Sequence, residues 1–184
     1  LVARVFDGER LLDAKTTTVG IRTVRVSAEH GFELNGRPIK LYGGNIHHDT
    51  GPLGAAAFAR AEERKVELMK AAGYNAARTA HNPPSVAFLE ACDRLGLLVV
   101  NEIFDGWEKA KNKRDYSVLF KEWWARDVDA WVRRDRHHAS VVMWSTGNEM
   151  FERGSESGRR IVRELSARIR DLDTTRPVTA GVNG

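Results

Sequence analysis

Four apolar runs in this chain each stop on residues able to do chemistry. The segment VVMWSTGNE, residues 141–149, ends in Asn148 and Glu149. IKLYGGNI ends in Asn45 and leads into His47, His48 and Asp49. YNAARTA holds Arg78 and leads to His81 and Asn82, and LLVVNEI holds Asn101 and Glu102 and leads to Asp105 and Trp107. Taken singly, a polar residue after an apolar run is an ordinary turn former or helix cap. Four in succession put carboxyl, amide, imidazole, guanidinium and indole groups at one end of one set of strands. A carboxyl group backed by Asn, Arg, His and Trp suits sugar chemistry. Hydroxyls need hydrogen-bond partners, a ring needs an aromatic platform, and a glycosidic bond needs a proton on its leaving oxygen.

Other chemistries fit less well. His47, His48, His81, Asp49 and Glu102 are ligand types, yet no HxH or HExxH spacing occurs, so neither a catalytic metal nor a cofactor is expected. No GxSxG elbow is present, and the lone Cys92 sits inside a helical pattern, which argues for a packed thiol rather than a nucleophile. The glycines of GGNIHHDTGPLG match neither a dinucleotide fingerprint nor a P-loop. His137 and His138 precede the fourth run, at the opposite end from the cleft, and read as structural.

These groups converge only if the runs are strands that open at the same end. From about residue 38 the chain alternates strand and helix. Helical segments cover residues 58–72, with Phe58, Ala61, Leu68, Met69 and Ala72 toward one side, and residues 85–95, capped by Ser85 and ended by Gly96. Two more carry the stripes Phe120–Trp124–Val128–Trp131 and Ile161–Leu165–Ile169–Leu172, and PVTAG closes with a fifth strand. Repeated βα units give parallel strands with right-handed crossovers. Without a Gly-rich nucleotide turn, a (β/α)₈ barrel fits better than an open doubly wound sheet, and a barrel's active site lies at the C-terminal ends of its strands. Upstream, Val19, Ile21, Val24 and Val26 alternate with polar residues, and Asn35-Gly36 between short apolar runs predicts a hairpin.

The 184 residues are 42% hydrophobic and 29% charged, enough for one domain with a core. The formal charge is +4, but the basic residues are interleaved with acids, as in ARAEERKVELMK, so no nucleic-acid partner is expected. Nothing predicts a membrane span or a signal peptide. The chain starts without Met and reads as a piece of a longer protein, which leaves localisation open.

DRHHASVVMWSTGNE resembles the acid/base segment of glycoside hydrolase family 2, which includes β-galactosidases, β-glucuronidases and β-mannosidases. NAARTAHNPPSVAFLEACDRLGLLVVNE and GFELNGRPIKLYGGNIHHD resemble the same family's strands two to three and its approach to the barrel, and FDGWEKAKNKRDYSVLFKEWWARDVDAWVRRD is closest to bacterial galactosidase-like members. The resemblance covers roughly residues 18–184; His137, Ala139 and Ala77 depart from the usual pattern, away from the catalytic positions. It implies an α/β fold: about five βα units forming the N-terminal part of a (β/α)₈ TIM barrel (residues 31–184), preceded by the last strands of an immunoglobulin-like β-sandwich and a linker (residues 1–30).

By position, Glu149 would be the general acid/base of a retaining exo-β-glycosidase, first of all a β-galactosidase, with β-glucuronidase or β-mannosidase as the alternative. Asn148 would bind the sugar 2-hydroxyl, Arg78 would orient the nucleophile, and His47 and His81 would touch sugar hydroxyls. Asp105 and Trp107 would add subsite contacts. The nucleophile of the family lies on the seventh strand, beyond this chain. A fragment of this kind is expected to bind carbohydrate, to be inactive alone, and to self-associate through open barrel edges; a non-catalytic carbohydrate-binding role is the competing reading.

Overall fold

The computed structural model describes residues 1–182; positions 183 and 184, the end of the expected barrel segment, lie outside the described residues. β1 (Val2–Asp7) and β2 (Arg10–Thr16) form an antiparallel hairpin that turns at Gly8, whose φ of 57° favours glycine. Every residue of the two strands is exposed. The alternating pattern expected through Val19 and Ile21 is not a strand there. Residues 17–23 run without secondary structure, and Ile21 is 98% exposed. That segment is instead strapped to the main body. Arg22 donates from Nε to the Ala139 carbonyl (3.1 Å) and from Nη2 to the Val141 carbonyl (2.6 Å), and the Gly20 amide donates to the His137 carbonyl (3.2 Å).

β3 (Val24–Ser27), β4 (Gly31–Leu34) and β5 (Arg37–Pro38) make a second antiparallel sheet. Asn35 and Gly36 turn β4 into β5 with φ of 52° and 74°, as the pair predicts. The β3–β4 pairing runs across residue 30.

The main body is a five-stranded parallel sheet of β6 (Gly43–Ile46), β7 (Ala76–Thr79), β8 (Leu98–Glu102), β9 (Val141–Asn148) and β10 (Val178–Gly181). Between them run α1 (Ala59–Ala71), α2 (Val86–Leu95), α3 (Ser117–Asp135) and α4 (Glu156–Leu172). The strands lie side by side in chain order. A doubly wound sheet reverses its order at a switch point; sequential order is that of a (β/α)₈ barrel, of which these units form an arc.

Local chemistry sets the element ends. Ser85 accepts a hydrogen bond from the Phe88 amide (3.1 Å), capping α2, and Gly96 ends it in the left-handed conformation. Ser155 caps α4 through the Gly158 amide (3.1 Å). The inward face of α1 differs from expectation: Phe58 and Leu68 are exposed, while Glu62, Val66 and Met69 are buried. Residues spaced four and three apart form one helical stripe, and Glu62 belongs to it because its carboxylate meets Lys65 at 2.8 Å. Phe88, Leu89, Trp131, Trp144 and Leu165 fill the layer between sheet and helices. Cys92 is fully buried among them, and burial pushes its thiol pKa up.

At the N-terminal end of the strands His138 Nδ1 lies 2.6 Å from Asp93 Oδ2, and Asp93 also accepts from the Ser140 amide. Arg176 nearby donates to three carbonyls, those of Val141, Arg136 and His138. His138 is thus part of the scaffold. No helix among the described residues is long and apolar enough to cross a membrane.

Candidate active site

Parallel register places the polar residues of β6–β9 side by side. Asn45 pairs with Arg78 across β6–β7, and Glu102 with Ser145 across β8–β9. Arg78 is the hub. It grips Glu102 with two parallel bonds, Nη2 to Oε1 (2.7 Å) and Nε to Oε2 (3.0 Å). Its remaining donors reach Asn45 Oδ1 (3.1 Å) and Asn148 Oδ1 (2.8 Å). Glu102 is completely buried, and Ser145 Oγ donates to its Oε2 at 2.6 Å. A bidentate guanidinium–carboxylate pair is planar and directional, so Arg78 is fixed, and it fixes Asn148 in turn.

A second chain of contacts starts from the other end of the Asn148 amide. Nδ2 donates to Asp105 Oδ1 (3.1 Å). The Lys111 ammonium sits between the two residues, donating to Asp105 Oδ1 (2.8 Å), the Asp105 carbonyl (2.7 Å) and the Asn148 carbonyl (2.6 Å). Burial would raise the pKa of Asp105, but the hydrogen bonds from Lys111 and Asn148 and the Lys111 charge outweigh it and hold the carboxyl below its usual range. His81 Nδ1 lies 3.4 Å from the same Asp105 oxygen, and its ring meets that of His47 edge-on at 5.2 Å. Partial burial lowers the His81 pKa despite the pull of Asp105 and Glu102.

Glu149 follows directly. Its φ is 44°, a left-handed conformation uncommon outside glycine. The Glu149 amide donates to the Gly181 carbonyl of β10 (2.6 Å), which anchors the kink. The strand therefore ends on a buried amide, Asn148, and an exposed acid, Glu149.

Of the residues expected in the cleft, Asn148, Arg78, Asp105 and His81 form one bonded cluster, with His47 against His81 and Glu149 beside Asn148. Trp107 does not join them. It is 2% exposed, and its Nε1 donates to the Thr146 carbonyl (2.9 Å). The loop after β8 folds the indole under Gly147, where an added Cβ would meet Nε1 at 2.9 Å, so Trp107 offers no face to a sugar. Arg78 is also differently engaged than expected: within this chain its carboxylate partner is Glu102.

The sequence marked Glu102 as a polar strand end without a role for it, and gave no sign of Lys111 or Ser145. An arginine inside a strand needs a counter-charge, and Glu102 was the nearest acid on a neighbouring strand. For Lys111 the KNK loop carried no signal.

Residues 24–183 match the sequence profile of the TIM barrel domain of glycosyl hydrolases family 2. The chain is 40% identical over 214 aligned residues to the beta-galactosidase BoGH2A of Bacteroides ovatus, covering 100% of this chain and 25% of that protein. It is 34% identical over 171 residues to the beta-glucuronidase of Felis catus, covering 93% of this chain and 26% of that one. Among solved structures, a glycosyl hydrolase family 2 member from Bacteroides cellulosilyticus superposes with a TM-score of 0.96 at 52% identity, over 100% of this chain and 24% of that one. The chain thus spans about a quarter of the length of these relatives. With five sequential parallel strands and their polar ends in register, the chain belongs to glycosyl hydrolase family 2 and forms part of that family's TIM barrel domain.

Proposed function

We propose that a complete barrel carrying these residues is a retaining β-glycosidase acting on terminal sugars, with Glu149 as general acid/base. The observation that supports this most is the end of β9. A buried amide is fixed on both sides by Arg78 and Asp105, and the next residue is an exposed carboxyl held by an anchored kink. In the first step Glu149 gives its proton to the leaving oxygen while a second carboxylate takes the anomeric carbon. In the second, Glu149 removes a proton from the attacking water. The second carboxylate has to lie about 5–5.5 Å from the first. Glu102 and Asp105 are engaged by Arg78 and Lys111, so on this reading the nucleophile comes from a later strand. Asn148 contacts the sugar 2-hydroxyl, and His47 and His81 its other hydroxyls.

A neutral sugar is favoured over a uronate. Arg78 and Lys111, the cations at the cleft floor, are each paired with a carboxylate and offer little to a third. With the 40% identity to a protein named beta-galactosidase, this puts β-galactosidase activity first and β-glucuronidase or β-mannosidase activity behind it. The test is turnover of 4-nitrophenyl β-galactoside, β-glucuronide and β-mannoside by the complete barrel, with the product anomer followed by NMR. Galactoside turnover with retained configuration is expected. Inversion, or binding without turnover of any substrate, would sink the proposal; the latter outcome is that of a carbohydrate-binding module.

A further inference from the structure

The peptide unit between Asn148 and Glu149 is held from both sides. Its carbonyl accepts from the Lys111 ammonium (2.6 Å), and its N–H donates to the Gly181 carbonyl (2.6 Å). In a trans peptide these two groups point in opposite directions, so the loop after β8 grips one edge of the plane and β10 grips the other. Glu149 hangs from this plane at a φ of 44°. A residue with a side chain keeps a left-handed conformation only where its surroundings over-determine it, and these two bonds do so. The bond to β10 is an extension of strand pairing. The bond to Lys111 comes from a loop and calls for its own reason.

All three protons of the ammonium serve this corner. They go to the Asn148 carbonyl, the Asp105 carbonyl (2.7 Å) and Asp105 Oδ1 (2.8 Å). None is left for a ligand, and the Asp105 carboxylate balances the charge. Lys111 therefore neither binds substrate nor adds net charge beside the acid; what it supplies is position. Its own backbone is anchored to match. The Lys111 and Asn112 amides both donate to Asp115 Oδ2 (2.6 and 2.8 Å), just ahead of α3. Glu152, 1% exposed, accepts from the Lys109 amide (2.6 Å) and so ties the same loop to the segment that follows Glu149.

We propose that Lys111 is a positioning residue for the proton donor. It aims Glu149 through the Asn148 carbonyl, and by holding Asp105 against Asn148 Nδ2 it keeps the Asn148 side chain turned as well. This rests on the glycosidase reading and adds to it a residue that touches neither the sugar nor the leaving group. The proton still passes from Glu149 to the leaving oxygen, and Lys111 keeps all of its own. Misplacing a reacting group by about 1 Å can cost about 10²-fold. The loss on removing Lys111 should therefore appear where the proton matters and fade where it does not.

The test is kcat/KM of the complete-barrel enzyme for phenyl and dinitrophenyl β-glycosides of whichever of the three sugars the wild type turns over. This constant covers the steps through glycosylation, in which a phenolate needs the proton and a dinitrophenolate does not. Lys111→Met keeps an apolar stem and loses the donors. It is expected to lower kcat/KM by more than about tenfold for the phenyl glycoside and by less than about threefold for the dinitrophenyl one. In a Glu149→Gln background the same change should cost less than about threefold on either. Lys111→Arg keeps the charge but spreads its donors over a plane instead of around one point, so it should restore the melting temperature more than the phenyl rate. If Lys111→Met does not fold, Asp115→Ala, which loosens the Lys111 backbone and leaves its ammonium in place, should show the same leaving-group bias. Equal losses or none on the two glycosides, an undiminished loss in the Glu149→Gln background, or a full phenyl rate in Lys111→Arg overturns the positioning role alone. A wild type that turns over none of the three sugars overturns the glycosidase reading on which it stands.

Discussion

At the scale of single residues, Glu149 carries the sharpest expectation. General acid/base help is worth ~10²–10⁴-fold, and an activated aryl leaving group does not need the proton. Glu149→Gln should therefore cripple turnover of alkyl glycosides but leave the glycosylation step of nitrophenyl substrates far less affected. Azide should restore part of the second step by attacking without a base. Equal losses for all leaving groups would contradict the role. Glu102 is the complementary case. Removing one partner of a buried ion pair costs about 3–5 kcal/mol, so Glu102→Gln should lower the melting temperature and free Arg78. Glu102→Asp, which keeps the charge but shortens the reach to Arg78 and Ser145, should recover stability more than kcat. Full recovery of both would make Glu102 a charge balance only. That Asn148 and Glu149 sit at the end of a strand was legible because the tetrapeptide TGNE follows an apolar run. The grip of Arg78 on Glu102 was not, because two residues 24 apart in sequence become partners only through strand register.

At the scale of elements, the caps were readable and the faces less so. Ser85→Ala should cost about 0.5–2 kcal/mol, seen as a lower thermal midpoint with unchanged KM. The stripe on α1 was misjudged because a paired glutamate occupies the inner face, and pattern reading sorts glutamate outward. Trp107 was misplaced for the opposite reason. An aromatic next to a strand end reads as a platform until the loop is known to fold it inward.

The Asp93–His138 contact gives an acid-limb prediction. Burial raises the Asp93 pKa, but hydrogen bonds from His138 and Ser140 leave it below the ordinary value. A carboxyl whose folded pKa is depressed stabilises above its unfolded pKa of about 3.9, and the contribution is lost as pH falls through the lower, folded value. Asp93→Asn should thus flatten the loss of stability below about pH 4 while lowering the plateau above it. Melting curves from pH 2.5 to 7 would show an unchanged slope if the contact were not ionic.

At the scale of the whole molecule, strand order was legible from the βα rhythm, and the gathering of polar side chains at one end of the sheet from the strand ends. The β1–β2 hairpin was not, because its fully exposed strands bury no stripe that a pattern could reveal. The sheet has β6 and β10 at its two edges. Unpaired parallel edges recruit other strands, so the 184-residue chain on its own should run larger than 20.6 kDa in size-exclusion chromatography. It should also fail to hydrolyse aryl β-galactosides. A monomeric sample with turnover that disappears in Glu149→Gln would place a nucleophile within these residues, and Glu102 would be the first to replace.

β9 is held at both ends by different parts of the chain. Arg22, upstream of the barrel, fastens its first residue, Val141, and the Gly181 carbonyl fastens Glu149 just past its last. Eight extended residues at roughly 3.3 Å each make a span of about 25 Å. An extended strand hydrogen-bonded on both sides is stiff along its length, so it behaves as a tie rod between the leading segment and the acid. Tilting whatever precedes residue 22 would pull on Glu149 from the far end of the strand, without touching the cleft.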